Sequence, residues 1–204
     1  MRTPWVVGVS GASGTPYARA VLTALLRAGE DVDLVVSRAA RLTILDETGL
    51  SFRDAHWRDD LVEWLGRDVP DGVRYWPAGD FAAGPASGSY LTRGMVVVPA
   101  STAAVAGIAI GLSKDLLQRA ADVTLKERRR LVIVPRETPY TGATLRHLLT
   151  LHEAGAVVLP ASPGFYSDPK SVDQLVDFVA AKILDAMAVP HDLITRWTGG
   201  STDG

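Results

Sequence analysis

The sequence predicts a doubly wound α/β sandwich, a single parallel sheet with helices on both faces. Three observations carry that expectation. Short apolar runs read as buried strands, and they alternate with helix-length segments along the chain. Such alternation makes βαβ units. Right-handed crossovers between parallel strands then place helices on both sides of the sheet.

The elements follow in order. Residues 6–10 form an apolar run that ends in glycines, a first strand. Residues 16–27 carry Leu and Val at helical spacing, closed by Ala28-Gly29. Residues 32–36 are a second strand and 38–48 a second helix. Residues 54–65 are a third, amphipathic helix with Trp57 and Trp64, and 73–76 a strand. Residues 77–90 are rich in Gly, Ala, Ser and Pro. A loop this long is usually functional or disordered. Residues 95–98 are the next strand and 99–102 a turn. A small-residue helix covers 103–112, and helix resumes as far as Arg130 after a break at 111–113. Residues 131–134 and 157–159 are strands, with helix at 144–154 between them. A proline-rich loop spans 160–169. The last helix repeats Val172, Leu175, Val176, Val179, Ile183, Leu184 and Met187 on one stripe. The chain reads as one domain over 1–204, with a C-terminal tail from 189 whose last residues, 198–204, should fray.

Composition narrows the function classes. With 21 Lys and Arg against 23 Asp and Glu, the formal charge is −2, which gives no support to a broad nucleic-acid or anionic-membrane surface. Zero cysteines exclude disulfides, thiolate metal sites, iron–sulfur clusters and a cysteine nucleophile, and fit a cytoplasmic location. The N-terminus turns into glycines too early for a signal peptide. Residues 94–113 carry no charge and are long enough to span a bilayer, but Pro99, Ser101 and Thr102 interrupt them, so strand, turn and helix is the better parse. None of His56, His147, His152 and His191 stands three or four residues from another, so no helical metal pair exists.

In such sheets ligands sit at the carboxyl ends of the strands. The first of these turns reads Gly8-Val-Ser-Gly11-Ala-Ser13-Gly14-Thr-Pro16. Its glycines allow close approach to a phosphate, and the helix that follows offers free N–H groups and a positive dipole end. It is neither the dinucleotide pattern nor a P-loop, and a tight structural turn would look the same. Ser37 and Pro99-Ala-Ser101-Thr102 place hydroxyls and N–H groups at the same edge, where either helix capping or a shared ligand accounts for them. Arg119, Asp122 and Lys126 share a helix face, a solvated face or an anion site. The run Arg128–Arg130 reads as solvated cations near a helix C-terminus. Arg136-Glu137 follows a buried strand directly, as a ligand-gripping pair or a structural ion pair. Tyr166, in the stiff loop Pro160–Tyr166, has an apolar ring with a polar tip. Lys182 borders the last helix's apolar stripe, where it can simply snorkel. Gly-x-Ser-x-Gly is absent, since Gly11-Ala-Ser13-Gly14 is one residue short.

Five blocks together resemble the UbiX-type flavin prenyltransferases. They are Gly-x-Ser-Gly-Ala-Ser-Gly at 8–14, Pro-Ala-Ser-Gly-Ser at 85–89, Arg-Ala-Ala-Asp-Val-x-Leu-Lys-Glu-Arg-Arg at 119–129, Val-Pro-Arg-Glu-Thr-Pro at 134–139 and Pro-Gly-Phe-Tyr at 163–166. The resemblance runs from about residue 5 to 197 without large gaps, and the stretch 119–139 is highly specific. It implies a Rossmann-like, flavodoxin-like flavoprotein that needs no metal. It also implies the reaction: reduced FMN and dimethylallyl phosphate bind together, the allyl–phosphate bond breaks, and the prenyl group joins N5 and C6 of the flavin. The prenylated FMN then passes to a UbiD-type decarboxylase. A large homo-oligomer, typically a dodecamer with sites at subunit contacts, is implied as well.

Carried over by motif, Gly11, Ala12 and Ser13 would line the FMN, with Ser37, Ser101, Thr102, Ala103, Ala104 and Arg136. Arg119, Lys126, Tyr166 and Lys182 would receive the prenyl phosphate, and Phe81 would wall the prenyl group. Ser13, Glu47, Glu137 and Lys126 would be catalytic, moving protons and positioning the reacting groups. The residue types suit the chemistry, since a forming allyl cation needs π-faces and a departing phosphate needs fixed cations. Four positions depart from the common pattern. Lys182 stands where many members have Arg, Phe81 replaces Trp, Ala100 stands for a frequent Cys, and Ala104 for a frequent Thr. The alternatives are an FMN-dependent decarboxylase of the cysteine-decarboxylase type and a non-catalytic FMN-binding accessory subunit.

Overall fold

The computed structural model describes residues 2–166 and 168–196. Six strands lie in one parallel sheet: β1 (Trp5–Val9), β2 (Val32–Val36), β3 (Val73–Tyr75), β4 (Gly94–Ala100), β5 (Arg130–Pro135) and β6 (Val157–Val158). Their order is β3-β2-β1-β4-β5-β6, with every neighbouring pair parallel. The helices are α1 (Thr15–Arg27), α2 (Arg38–Thr48), α3 (Trp57–Leu65), α4 (Thr102–Ala109), α5 (Leu116–Lys126), α6 (Gly142–Glu153) and α7 (Val172–Met187).

Strand periodicity divides the core into two layers. Trp5, Val7, Val9, Val96 and Val98 face α1, α3 and α7, while Val6, Met95, Val97, Leu131 and Ile133 face α4, α5 and α6. Strands β1, β2 and β4 are buried along their whole length, which is why they read as continuous apolar runs. The uncharged segment at 94–113 forms β4 and α4, and among the described residues no helix is long and apolar enough to cross a membrane.

The expected boundaries need four corrections. Residues 54–65 are a 3-10 turn at Asp54–His56 followed by α3. Helix α4 stops at Ala109 rather than 112, because Gly111 and Ser113 take positive φ and turn the chain. Helix α5 ends at Lys126, since Arg128 has a φ of 56° and Arg130 is already in β5. Residues 189–196 are not a loose tail. Val189 is buried, and His191 and Arg196 both bond the Asp185 carboxylate. Residues 198–204 lie outside the described residues.

The loop at 77–90 is anchored rather than disordered. Its end is tied to β2, where fully buried Asp33 accepts from Tyr90 Oη (2.9 Å), Arg74 Nε (2.7 Å) and Trp76 Nε1 (3.0 Å). Its middle is tied to the region of α5. Arg119 Nε donates to Ala86 O, and the Arg129 guanidinium donates to Gly88 O and Tyr90 O, each at 2.7 Å. Arg129 is therefore a loop clamp, not the solvated cation its setting in a triple-arginine run suggests.

Candidate active site

The strand order reverses direction between β1 and β4, and the crevice of an open parallel sheet lies there, at the carboxyl edge. Three turns meet at this edge: residues 10–14 after β1, Ser37 after β2, and Ser101 after β4. A fourth, beginning at Arg136, follows β5.

The first turn is tightly packed from below. A Cβ on Gly11 would stand 2.4 Å from Ala39 Cβ, so only glycine lets the turn rest on the start of α2. Gly14 has a φ of 112°, which a side chain would strain. Ala12 N donates back to Ser10 O (2.9 Å), whereas the main-chain N–H groups of Gly11 and Ser13 have no partner among the described residues. Ser13 is exposed and Ala12 buried.

Glu47, near the end of α2, closes the start of α1. Its carboxylate accepts from Gly14 N (2.8 Å), Thr15 N (2.9 Å) and Thr15 Oγ1 (2.7 Å). Partial burial pushes its pKa up, but the hydrogen bonds from Thr15, Ser13 and the two N–H groups outweigh it. The carboxyl is therefore held below the usual glutamate range. It is a charged cap for α1.

Ser37 is buried. Its N–H donates to Val9 O (2.9 Å), and its hydroxyl caps α2 by accepting from Ala40 N (3.1 Å). Ser101 caps α4 through Ala104 N (3.2 Å), so the first N–H groups of that helix, from Thr102 and Ala103, lack intrahelical partners. Sequence reading passed over Ser10. Its buried hydroxyl donates to Pro99 O (2.8 Å) and accepts from Ser101 N (2.7 Å), joining the first turn to the third. Its one signal in the sequence was a polar residue at the end of an apolar strand.

Arg136 N donates to Ala100 O (3.3 Å), and Ala161 N donates to Pro135 O (3.1 Å), so the β5 turn joins both neighbours. The Arg136 stem lies beside Gly14, 3.6 Å from where a Cβ there would stand. Its Nε is buried without a partner among the described residues. A buried guanidinium N–H left open calls for an acceptor from outside the chain. The Arg136–Glu137 ion pair that the sequence left open does not form among the described residues. Glu137 is exposed and accepts from Thr138 N (2.9 Å). Arg136, Glu137 and Tyr140 line one side of an open cleft of about 390 Å³, with Pro160 and Ala161 opposite. Burial raises the Tyr140 phenol pKa; the Glu137 charge adds to the effect and the Arg136 charge opposes it.

The remaining cations do not gather here within one chain. Arg119 and Lys126 stand seven residues apart on α5, about 10 Å along the axis. Lys126 ends that helix just before β5 begins, toward the amino edge of the sheet, and is paired with Glu127. Arg119 is held by Ala86 O and by Asp122 (3.0 Å), as its helix-face spacing predicts. Lys182 is exposed on α7. Tyr166 is 75% exposed and rests edge-on against Phe178, with ring centroids 5.7 Å apart. Phe81 is 52% exposed on the anchored loop. Lys126, Lys182, Tyr166 and Phe81 are exposed, and none of them lines the cleft at Arg136.

Comparison with known proteins agrees with this geometry. A family model described as Flavoprotein matches residues 1–184. The flavin prenyltransferase UbiX of Streptomyces coelicolor is 68% identical over 206 aligned positions, covering 96% of this chain and 95% of that protein. Among solved structures, AnUbiX (PadA1) in complex with FMN and dimethylallyl pyrophosphate superposes with a TM-score of 0.86 at 36% identity, covering 98% of this chain and all (100%) of that one. A dodecameric FMN-dependent UbiX-like decarboxylase from Escherichia coli O157:H7 superposes with a TM-score of 0.85 at 37% identity, covering 97% of this chain and 100% of that one.

Proposed function

Because this chain belongs to the UbiX-type flavin prenyltransferases of the flavoprotein family, we propose that it joins the dimethylallyl group of dimethylallyl phosphate to reduced FMN. The observation that carries this reading is the 68% identity to a prenyltransferase over nearly the whole chain. The crevice supplies the physical fit. Gly11 and Ser13 offer N–H groups, and Arg136 a buried Nε, that have no partner among the described residues, to an anionic, planar guest. Reduced FMN supplies the electron-rich ring positions N5 and C6 that take the prenyl group.

The chain's own residues divide the remaining work. The turn at 11–13, Ser37, residues 101–104 and Arg136 hold the flavin. Glu47 stays ionised, so its part is to fix the start of α1 and the turn that carries Ser13 rather than to donate a proton. Ser13 keeps its hydroxyl oriented toward the reacting groups. Glu137, exposed at the cleft mouth, is the carboxylate free to take up a proton. Phe81 offers a π-face to positive charge on the prenyl group. Arg119, Lys126, Lys182 and the Tyr166 hydroxyl receive the phosphate and stabilise it as it leaves.

None of those last groups lines the Arg136 cleft of its own chain, so the complete site takes residues from neighbouring copies of a homo-oligomer. The dodecamer of the Escherichia coli relative supports that arrangement. The product goes to a UbiD-type decarboxylase, in the cytoplasm. The test is anaerobic. Protein, reduced FMN and dimethylallyl phosphate are mixed and quenched, and the flavin is weighed by mass spectrometry. A flavin heavier by one C5H8 unit, lost in Glu137→Gln and Lys126→Ala, is expected. Bound but unmodified FMN, with the pyrophosphate donor also tried, would overturn the reading in favour of flavin storage.

A further inference from the structure

We infer that Ser10 is a positioning residue for the flavin, setting the gap between the two turns that flank the crevice. The inference rests on the flavin-binding reading above. The β1–β4 ladder pairs Gly8 with Val97, and β4 then shifts register against β5 between Val97 and Ala100. The paired residues of β1 and β4 end there, at the crevice edge. A main-chain bond crosses the gap from Ser10 N to Pro99 O, and at 3.3 Å it is long. The side chain spans the rest. Ser10 Oγ donates to Pro99 O at 2.8 Å and accepts from Ser101 N at 2.7 Å.

The hydroxyl thus uses both its donor and an acceptor site in one bridge. The groups on either side of the bridge are the ones that matter. Gly11 begins the first turn, and Ser101 caps α4. Ser10 is 2% exposed, so water has little access to replace the bridge. Ser10 touches no reacting atom. It acts by holding the N–H groups of Gly11 and Ser13 and of the start of α4 at one spacing, and a guest that bonds both turns reads that spacing as affinity.

The test is a flavin titration, followed by fluorescence quenching and by the circular dichroism of bound FMN, on the intact oligomer. Ser10→Ala should weaken FMN binding about tenfold and raise KM for reduced FMN alike. At saturating flavin, kcat should stay within about twofold, because the reacting groups are untouched. Ser10→Thr keeps the hydroxyl and should restore affinity to within about threefold. Ser10→Cys, of similar shape but weak in hydrogen bonding, should fall between, and it carries the test if the alanine variant does not fold. Wild-type affinity in Ser10→Ala or Ser10→Cys, in a protein that still prenylates FMN, would overturn the role of Ser10 alone. A wild-type chain that takes up no FMN would overturn the functional reading with it.

Discussion

Replacing Asp33 tests whether the buried network on β2 holds the Phe81 loop. The carboxylate is fully buried and accepts three hydrogen bonds, from Arg74, Trp76 and Tyr90. Tyr90 is kept as a donor, since burial and the Asp33 charge push its phenol pKa up to about 12. In Asp33→Ala the Arg74 charge loses its carboxylate, and two half-buried donors lose an acceptor. Removing one partner of a buried ion pair costs roughly 3–5 kcal/mol. At about 2–4 °C per kcal/mol for a chain of this size, the melting temperature should fall by roughly 6–20 °C. Asp33→Asn keeps the shape and one acceptor oxygen. Its amide can face Tyr90, whose oxygen then accepts, so the loss should be on the order of 1–3 kcal/mol. Melting at fixed protein concentration, with amide exchange across residues 77–90, measures both effects. An Asp33→Ala protein melting within about 2 °C of wild type, with unchanged exchange in that loop, would refute the reasoning.

Three further outcomes follow from the site. Glu47→Ala removes the cap from α1 and should cost about 1–2 kcal/mol, read by denaturant titration. Because the folded carboxyl titrates below its usual range, its contribution is complete above the ordinary glutamate pKa and is lost as pH falls through the lower folded value. The wild-type and Glu47→Gln stability curves should therefore converge in acid. Arg136→Lys should weaken FMN binding by about tenfold in a flavin titration, since an ammonium has no Nε–H to replace the buried one. Arg129→Ala should leave overall melting within about 3 °C yet speed amide exchange at Gly88 and Tyr90, whose carbonyls it holds, and a rigid loop in that variant would count against the clamp.

The fold was largely legible because its signals are local. A strand buried on both faces must be apolar at every position, and Val32–Val36 and Gly94–Ala100 show it almost without exception. The glycines of the first turn, the serines at 37 and 101 that cap helices, and the Arg-Glu pair after β5 are likewise written in short segments. Where the local reading failed, a distant partner decided. Arg129 looks solvated beside two other arginines, until the loop from 77 to 90 folds down onto it. Glu47 enters the sequence reading only through the family resemblance, and its role as a cap appears only when the start of α1 is set against the end of α2.

By itself, the sequence determined the parallel α/β architecture and the family, and it pointed to one edge of the sheet as the place to look for a site. All three rest on patterns within a few residues or on motifs that persist in order along the chain. Only the tertiary structure decided which polar groups have partners and which are left open. It gave Asp33 three donors, joined Ser10 to Ser101 across the crevice, left Arg136 Nε without an acceptor among the described residues, and set Lys126 toward the amino edge of the sheet. The physical reason is that a side chain's hydrogen bonding and charge depend on atoms tens of residues away, which strand order brings into contact and composition does not record.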